Sequence, residues 1–200
     1  MERYTTHTRE ICLMDQNFRK RTFTPRVFFN DILFFLSHMP RIIGILGNES
    51  VSKTFVERIM TVVTAVNGCV YCSWFHAKQA VAIGISGDEV RDLLNLQFHT
   101  HAPREEVPAL LYAQHYAETD RHPDATMTDE FYEYYGEETA TDLYFSMRMI
   151  YFGNLFGNTW DAVISRFRGH PAKEGNVAFE IVFFVLAFVF MTPAMVLIKD

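Results

Sequence analysis

The chain is short of basic charge, of cysteine and of β-type patterning, and each shortage narrows what it can be. Eighteen Lys and Arg stand against 24 Asp and Glu, a formal net charge of −6. The basic excess that a phosphate backbone requires is missing, so nucleic acid is set aside as a partner. The first residues also lack an uninterrupted apolar stretch of signal-peptide length, because Glu2, Arg3, Arg9, Glu10 and Asp15 break it up. A cytoplasmic location is expected on that ground. Three cysteines, Cys12, Cys69 and Cys72, are too few for a disulfide framework. In a reducing compartment a close pair such as Cys69 and Cys72 points to catalysis, redox sensing or a metal instead. No stretch alternates apolar and polar residues long enough for a strand, and no internal repeat is visible.

What is present is apolar and helical. A hydrophobic fraction of 49% over 200 residues suffices for a proper core. Apolar residues recur three and four apart through nearly every segment, which predicts an all-α fold. Thr24-Pro25 opens one helix, and Pro40 interrupts it. Ser52 caps a second helix that ends at Asn67-Gly68, and a third runs from about Cys69 to Gly84. Ser86 and Glu89 form a capping box for a short helix. Further helices are predicted over about Arg104–Glu118, from a Thr128 cap through a Tyr- and Phe-rich segment, over Thr139–Arg168, and in a terminal apolar run over Phe179–Ile198. Three parts follow: an N-terminal helical extension over residues 1–51, a core domain over 52–168, and an apolar helical tail over 169–200.

Chemistry concentrates in Asn67-Gly68-Cys69-Val70-Tyr71-Cys72-Ser73-Trp74-Phe75-His76. Residues three and four apart share a helix face, so Cys69, Cys72 and His76 line up. The positive end of a helix macrodipole and a nearby imidazole both favour thiolate. A thiolate attacks peroxide oxygen to give a sulfenic acid, which a second thiol converts to a disulfide. Glu57 joins by a length argument. It lies ten residues before Asn67, or ~15 Å of helix, and His76 lies eight after Gly68, or ~12 Å. If the two helices fold back at Asn67-Gly68 the carboxylate and imidazole come level, and a carboxylate there orients the ring and raises its basicity. Placement of Glu57 on a solvated face is the other reading of that residue.

Glu57, eleven residues, Cys69, two residues, Cys72, three residues, His76 resembles the signature of AhpD-like alkyl hydroperoxidases within the carboxymuconolactone decarboxylase family. The likeness extends through Ala80, Gly84, the capped segment at Ser86–Val90, Ala109–Ala113 and Thr128–Phe131. It covers about Ser52 to Phe167, with Asn154–Arg166 similar to the family's closing helix. The resemblance implies an AhpD-like helical bundle, oligomeric as a trimer or hexamer. It further implies reduction of a hydroperoxide substrate with a thiol reductant as electron donor, and no cofactor or metal. Cys72 would be the peroxidatic thiol, Cys69 the resolving one, and His76 and Glu57 the proton relay. Tyr71 departs from the pattern, standing where the best-known members carry a His just before the second cysteine. A phenol that titrates near ~10 is no neutral-pH base, though it can donate a hydrogen bond.

Other readings stand beside this one. The same pair could serve a thiol-disulfide oxidoreductase acting on a protein, or, in a non-catalytic, membrane-associated helical protein, the pair could be structural or could ligate zinc together with His76 and with Glu57 or another His as fourth ligand. His99 and His101 fall in a predicted loop, and Cys12 reads as a free thiol. The aromatic cluster from Phe131 to Phe152 reads as core and subunit interface. Trp74 and Phe75 are candidates to wall an apolar substrate pocket. Ile181–Ile198 holds 18 residues without a charge, just the length of a membrane-spanning candidate. Pro193 inside it favours an oligomer interface over a membrane anchor.

Overall fold

The computed structural model describes residues 18–47, 51–172 and 175–198, without the side chains of 189–190 and 193–198. Among these residues there are nine helices and no strand; the one β contact is an isolated bridge between Phe18 and Ala172. The helices are α1 (Pro25–Ser37), α2 (Met39–Gly47), α3 (Lys53–Asn67), α4 (Val70–Ala82), α5 (Gly87–Leu94), α6 (Val107–Glu118), α7 (Ala125–Tyr135), α8 (Glu137–Phe167) and α9 (Val177–Ile198).

Helix α3 forms the centre, packed against α4, α5, α6 and α8. Ser52 caps it by accepting from the Phe55 N–H at 3.2 Å. Because neighbours surround it on several sides, Ile59, Val62 and Val63 are fully buried, each contributing about 1.5–3 kcal/mol by leaving water. Burial extends to the polar Glu57 and Arg58. Glu57 therefore does not lie on a solvated face. Arg58 meets Glu89 at 2.6 Å and Glu106 at 3.1 Å, tying α3 to the start of α5 and to the residue before α6. Burial raises the Glu106 carboxyl above its ordinary range, and the neighbouring Arg58 opposes that shift.

The chain leaves α3 through Gly68, whose left-handed conformation (φ 64°) would strain any residue with a Cβ. Its N–H donates to Thr64 O at 2.9 Å, closing the C-terminus of α3. Helix α8 is the longest element and backs both α3 and α4. It also carries much of the aromatic core. Tyr116 packs edge-on against Tyr144 and Tyr151, and Tyr112 stacks on Phe131 with centroids 4.2 Å apart.

Several boundaries differ from the periodicity reading. Helix α6 begins at Val107, not at about Arg104. Thr128 does not cap α7; that helix starts at Ala125, and the Thr128 hydroxyl donates back to Asp124 O at 2.9 Å. Pro40 does not end the helical run: α2 begins one residue before it. The proline sits in the first turn of a new helix, where its missing N–H costs nothing.

Helix α9 packs one face on its own chain. Phe183, Ala187 and Met191 are buried, and Phe184 stacks on Trp160 at 4.5 Å. Its Glu180 turns inward to Arg166. The outward face, with Ile181, Val182, Val185 and Leu186, is exposed, as are Phe29, Leu33 and Leu36 on α1. No single helix among the described residues is long and apolar enough to cross a membrane. Helices α1 and α2, bent by 74° at their junction, meet that test only as a pair, by length and composition.

Candidate active site

Gly68 turns the chain so that α4 begins at once, with Cys69 as its N-cap. The Cys69 sulfur accepts from the Cys72 N–H at 3.3 Å, the role an oxygen plays in most caps. The two cysteines form a disulfide with Cα atoms 5.3 Å apart, within the usual span for such a bond. Their environments differ: Cys69 is fully buried, while Cys72 is part-exposed with its sulfur 3.6 Å from Gly153 O. Of the two residues, Cys72 is thus the more open to solvent.

One turn further along α4, His76 is buried and its Nδ1 lies 2.6 Å from Glu57 Oε1. Both groups are more than nine-tenths buried, so their contact is little screened by solvent. With a carboxylate at Nδ1, that nitrogen carries the proton in the neutral ring and Nε2 is left as the acceptor. The fold-back of α3 and α4 about Gly68 brings the pair level, as the length argument required.

Tyr71 does not join this pair. Its hydroxyl donates to Asp161 Oδ1 at 2.9 Å, and the other Asp161 oxygen is paired with Lys20 at 2.7 Å. Burial first, then the Asp161 charge, push the phenol far above its ordinary value of 10.0, so it stays protonated at neutral pH. Trp74 and Phe75 lie on the outer side of α4: Phe75 is exposed, and the Lys78 ammonium sits 4.1 Å over the Trp74 ring. His99 and His101 are exposed in the loop after α5, where His101 pairs with Asp92. Cys12 lies outside the described residues. Among the described residues no three of His, Cys, Asp and Glu gather as a metal-ligand set.

A stripe of α8 supplies what the motif lacks. Asn154 accepts from the Asn67 amide at 3.1 Å and donates to the Thr64 hydroxyl at 3.0 Å. Asn158 donates to Asn67 O at 3.0 Å. Gly157 lies directly against the sulfurs, and Asp161 holds Tyr71. These positions recur three and four apart, so one face of α8 contacts the whole redox turn. The only trace of this in the sequence is polar and small residues recurring at helical spacing in an otherwise apolar helix. From the other side, Arg21 reaches Asn67 Oδ1 at 3.2 Å, and a cleft of about 440 Å³ runs from Arg19–Arg21 to the Asn67-Gly68 turn.

Residues 42–118 match the model of the Carboxymuconolactone decarboxylase family. This family segment contains Glu57, both site cysteines and His76, in agreement with the resemblance carried by their spacing. It runs from within α2 to the end of α6, less than half of the chain; α8, with its stripe, lies beyond it. No curated protein matches the chain, and no solved structure does.

Proposed function

We propose that the protein is a thiol peroxidase, reducing hydrogen peroxide or organic hydroperoxides through Cys72 and Cys69. The observation that carries the reading is the buried His76–Glu57 contact one helical turn after a part-exposed member of a cysteine pair. The matched family includes decarboxylases and alkyl hydroperoxidases. A redox-capable pair beside a base supports the second chemistry.

In this reading His76 Nε2 takes the Cys72 thiol proton, and Glu57 stabilises the imidazolium that results. The thiolate attacks the distal peroxide oxygen, the O–O bond breaks, and the departing alkoxide or hydroxide leaves as alcohol or water with that proton. Cys72 is then a sulfenic acid. The Cys69 thiol gives up its proton as its sulfur attacks the Cys72 sulfur; the S–S bond forms, the S–O bond breaks, and the departing hydroxide takes that proton and leaves as water. A reductant thiolate later attacks the Cys72 sulfur, breaking the S–S bond and forming a mixed disulfide, which a second reductant thiol then resolves, so that two thiols supply the two electrons and leave as their own disulfide. Cys69 departs as a thiolate, eased by the amide of Cys72 at the helix N-terminus. Tyr71 takes no proton in this scheme; it holds the turn through Asp161. No metal or organic cofactor enters.

Exposed apolar faces on α1 and α9 are consistent with a homo-oligomer, and the cytoplasm supplies the thiol reductants the cycle needs. Stopped-flow mixing of reduced protein with hydrogen peroxide and with cumene hydroperoxide, with thiols counted, tests the reading. Loss of two thiols per peroxide is expected. Slow peroxide reaction together with rapid disulfide exchange on a protein substrate would mark a thiol-disulfide oxidoreductase instead.

A further inference from the structure

A glycine inside a helix costs about 1 kcal/mol relative to alanine, so one that is fully enclosed needs a reason. Gly157 lies mid-way along the C-terminal half of α8 and is buried. A Cβ placed there would sit 2.7 Å from Cys69 Sγ, 3.3 Å from Tyr71 Cδ2 and 3.8 Å from Cys72 Sγ. The first distance is far inside van der Waals contact. Whether the neighbour can move aside depends on its chemistry. As a free thiol, Cys69 can turn about its Cα–Cβ bond and carry the sulfur away. Once bonded to Cys72 it cannot, because two backbones in one helical turn hold the bridge. Tyr71 is equally confined, with its hydroxyl fixed to Asp161.

We infer that Gly157 is a positioning residue for the redox couple: its missing side chain leaves the space that the Cys69 sulfur fills in the disulfide. A side chain at 157 penalises the oxidised state more than the reduced one. The inference rests on the proposed cycling of Cys69 and Cys72, and it adds a determinant outside the family segment. Gly153, one turn earlier on the same helix, differs. A Cβ there meets only Ile150 Cδ1, at an ordinary 3.9 Å. It serves as the internal control.

The test is the equilibrium of the full chain with dithiothreitol redox buffers, with the Cys69–Cys72 disulfide followed by thiol trapping and mass spectrometry. Gly157→Ala should lower the equilibrium constant for the disulfide by about tenfold or more, which is ~30 mV for a two-electron couple. Gly153→Ala should change it by less than about threefold. A purely structural role for Gly157 would move thermal stability in both redox states and leave this equilibrium alone. An unchanged constant in Gly157→Ala overturns the inference while leaving the peroxidase reading intact. A wild-type chain that never forms the disulfide removes both. Folding failure is covered by the Cys69→Ala background, where the offending sulfur is gone. There the tightest remaining approach is the 3.3 Å one to Tyr71 Cδ2, so Gly157→Ala should lose less stability than it does in the disulfide-bonded chain, and an equal or larger loss overturns the inference.

Discussion

Replacing Glu57 by Gln separates charge from shape. The amide has nearly the carboxylate's size, and its oxygen can still accept from His76 Nδ1, now 2.6 Å from Glu57 Oε1. What disappears is the negative charge beside an imidazole that must become imidazolium when it takes the Cys72 proton. A hydrogen bond to a charged group contributes about 1.5–3 kcal/mol, against about 0.5–1.5 for a neutral one. The difference, about 1–1.5 kcal/mol, corresponds to roughly tenfold. The low exposure of both groups, 7% for Glu57 and 8% for His76, keeps solvent from restoring the loss. Reaction of the reduced protein with hydrogen peroxide should therefore slow about tenfold near neutral pH. His76→Ala removes the acceptor itself and should cost about 10²–10⁴-fold. Both deficits should narrow as pH rises, because hydroxide then forms the thiolate unaided. Single-turnover stopped flow across a pH series reads these effects, with urea unfolding of each variant as a check on folding. A Glu57→Gln protein that reacts at the wild-type rate near neutral pH, or a deficit independent of pH in a folded variant, would refute the relay.

Cys72→Ser should abolish peroxide reduction, whereas Cys69→Ser should still form a sulfenic acid that a dimedone-type reagent traps; equal trapping in both variants would reverse the assigned roles. Tyr71→Phe should leave the pH profile of the peroxide reaction unchanged below about pH 10, since burial and Asp161 raise the phenol above its ordinary 10.0. The linkage sign is that of a raised folded value. The protonated phenol's stabilising contribution is complete below the unfolded value and fades as pH climbs beyond it, so the wild-type advantage over Tyr71→Phe in urea unfolding should shrink only on the alkaline side. Asn154→Ala leaves the buried Asn67 amide and Thr64 hydroxyl without their partner, and should cost about 2–4 kcal/mol in urea unfolding. A loss under ~1 kcal/mol would show that the clamp on the turn is slack. Deletion of residues 176–200 uncovers the chain's own Phe156 and Trp160, which contact Phe183 and Phe184. Smaller or aggregated species in light scattering are expected. A full-length protein that needs detergent, beside a soluble and active truncated form of unchanged subunit number, would make the tail a membrane anchor.

Local sequence was enough for whatever depends on neighbours along one chain segment. Helical periodicity, the Ser52 and Ser86 caps and the Asn67-Gly68 turn follow from residues within a turn of each other, and the helices appear at those places. The spacing from Glu57 to His76 made their meeting follow from a fold-back at Gly68, because two rigid helices joined by a one-glycine turn have a calculable rise; the fold-back itself came from packing. Where competing local signals meet, as at Pro40 and Thr128, the helix boundary is set by the wider packing and departs from the local pattern. What faces the turn from 80 or more residues away was beyond that reach. Asn154, Gly157 and Asp161 become part of the site only because α8 crosses behind α3 and α4, a choice made by long-range packing. The direction of Tyr71, toward Asp161 and away from His76, was decided the same way. So was the burial of Glu57, which rests on α3 being enclosed by several helices at once; a helical wheel locates an apolar face but cannot count the neighbours around it.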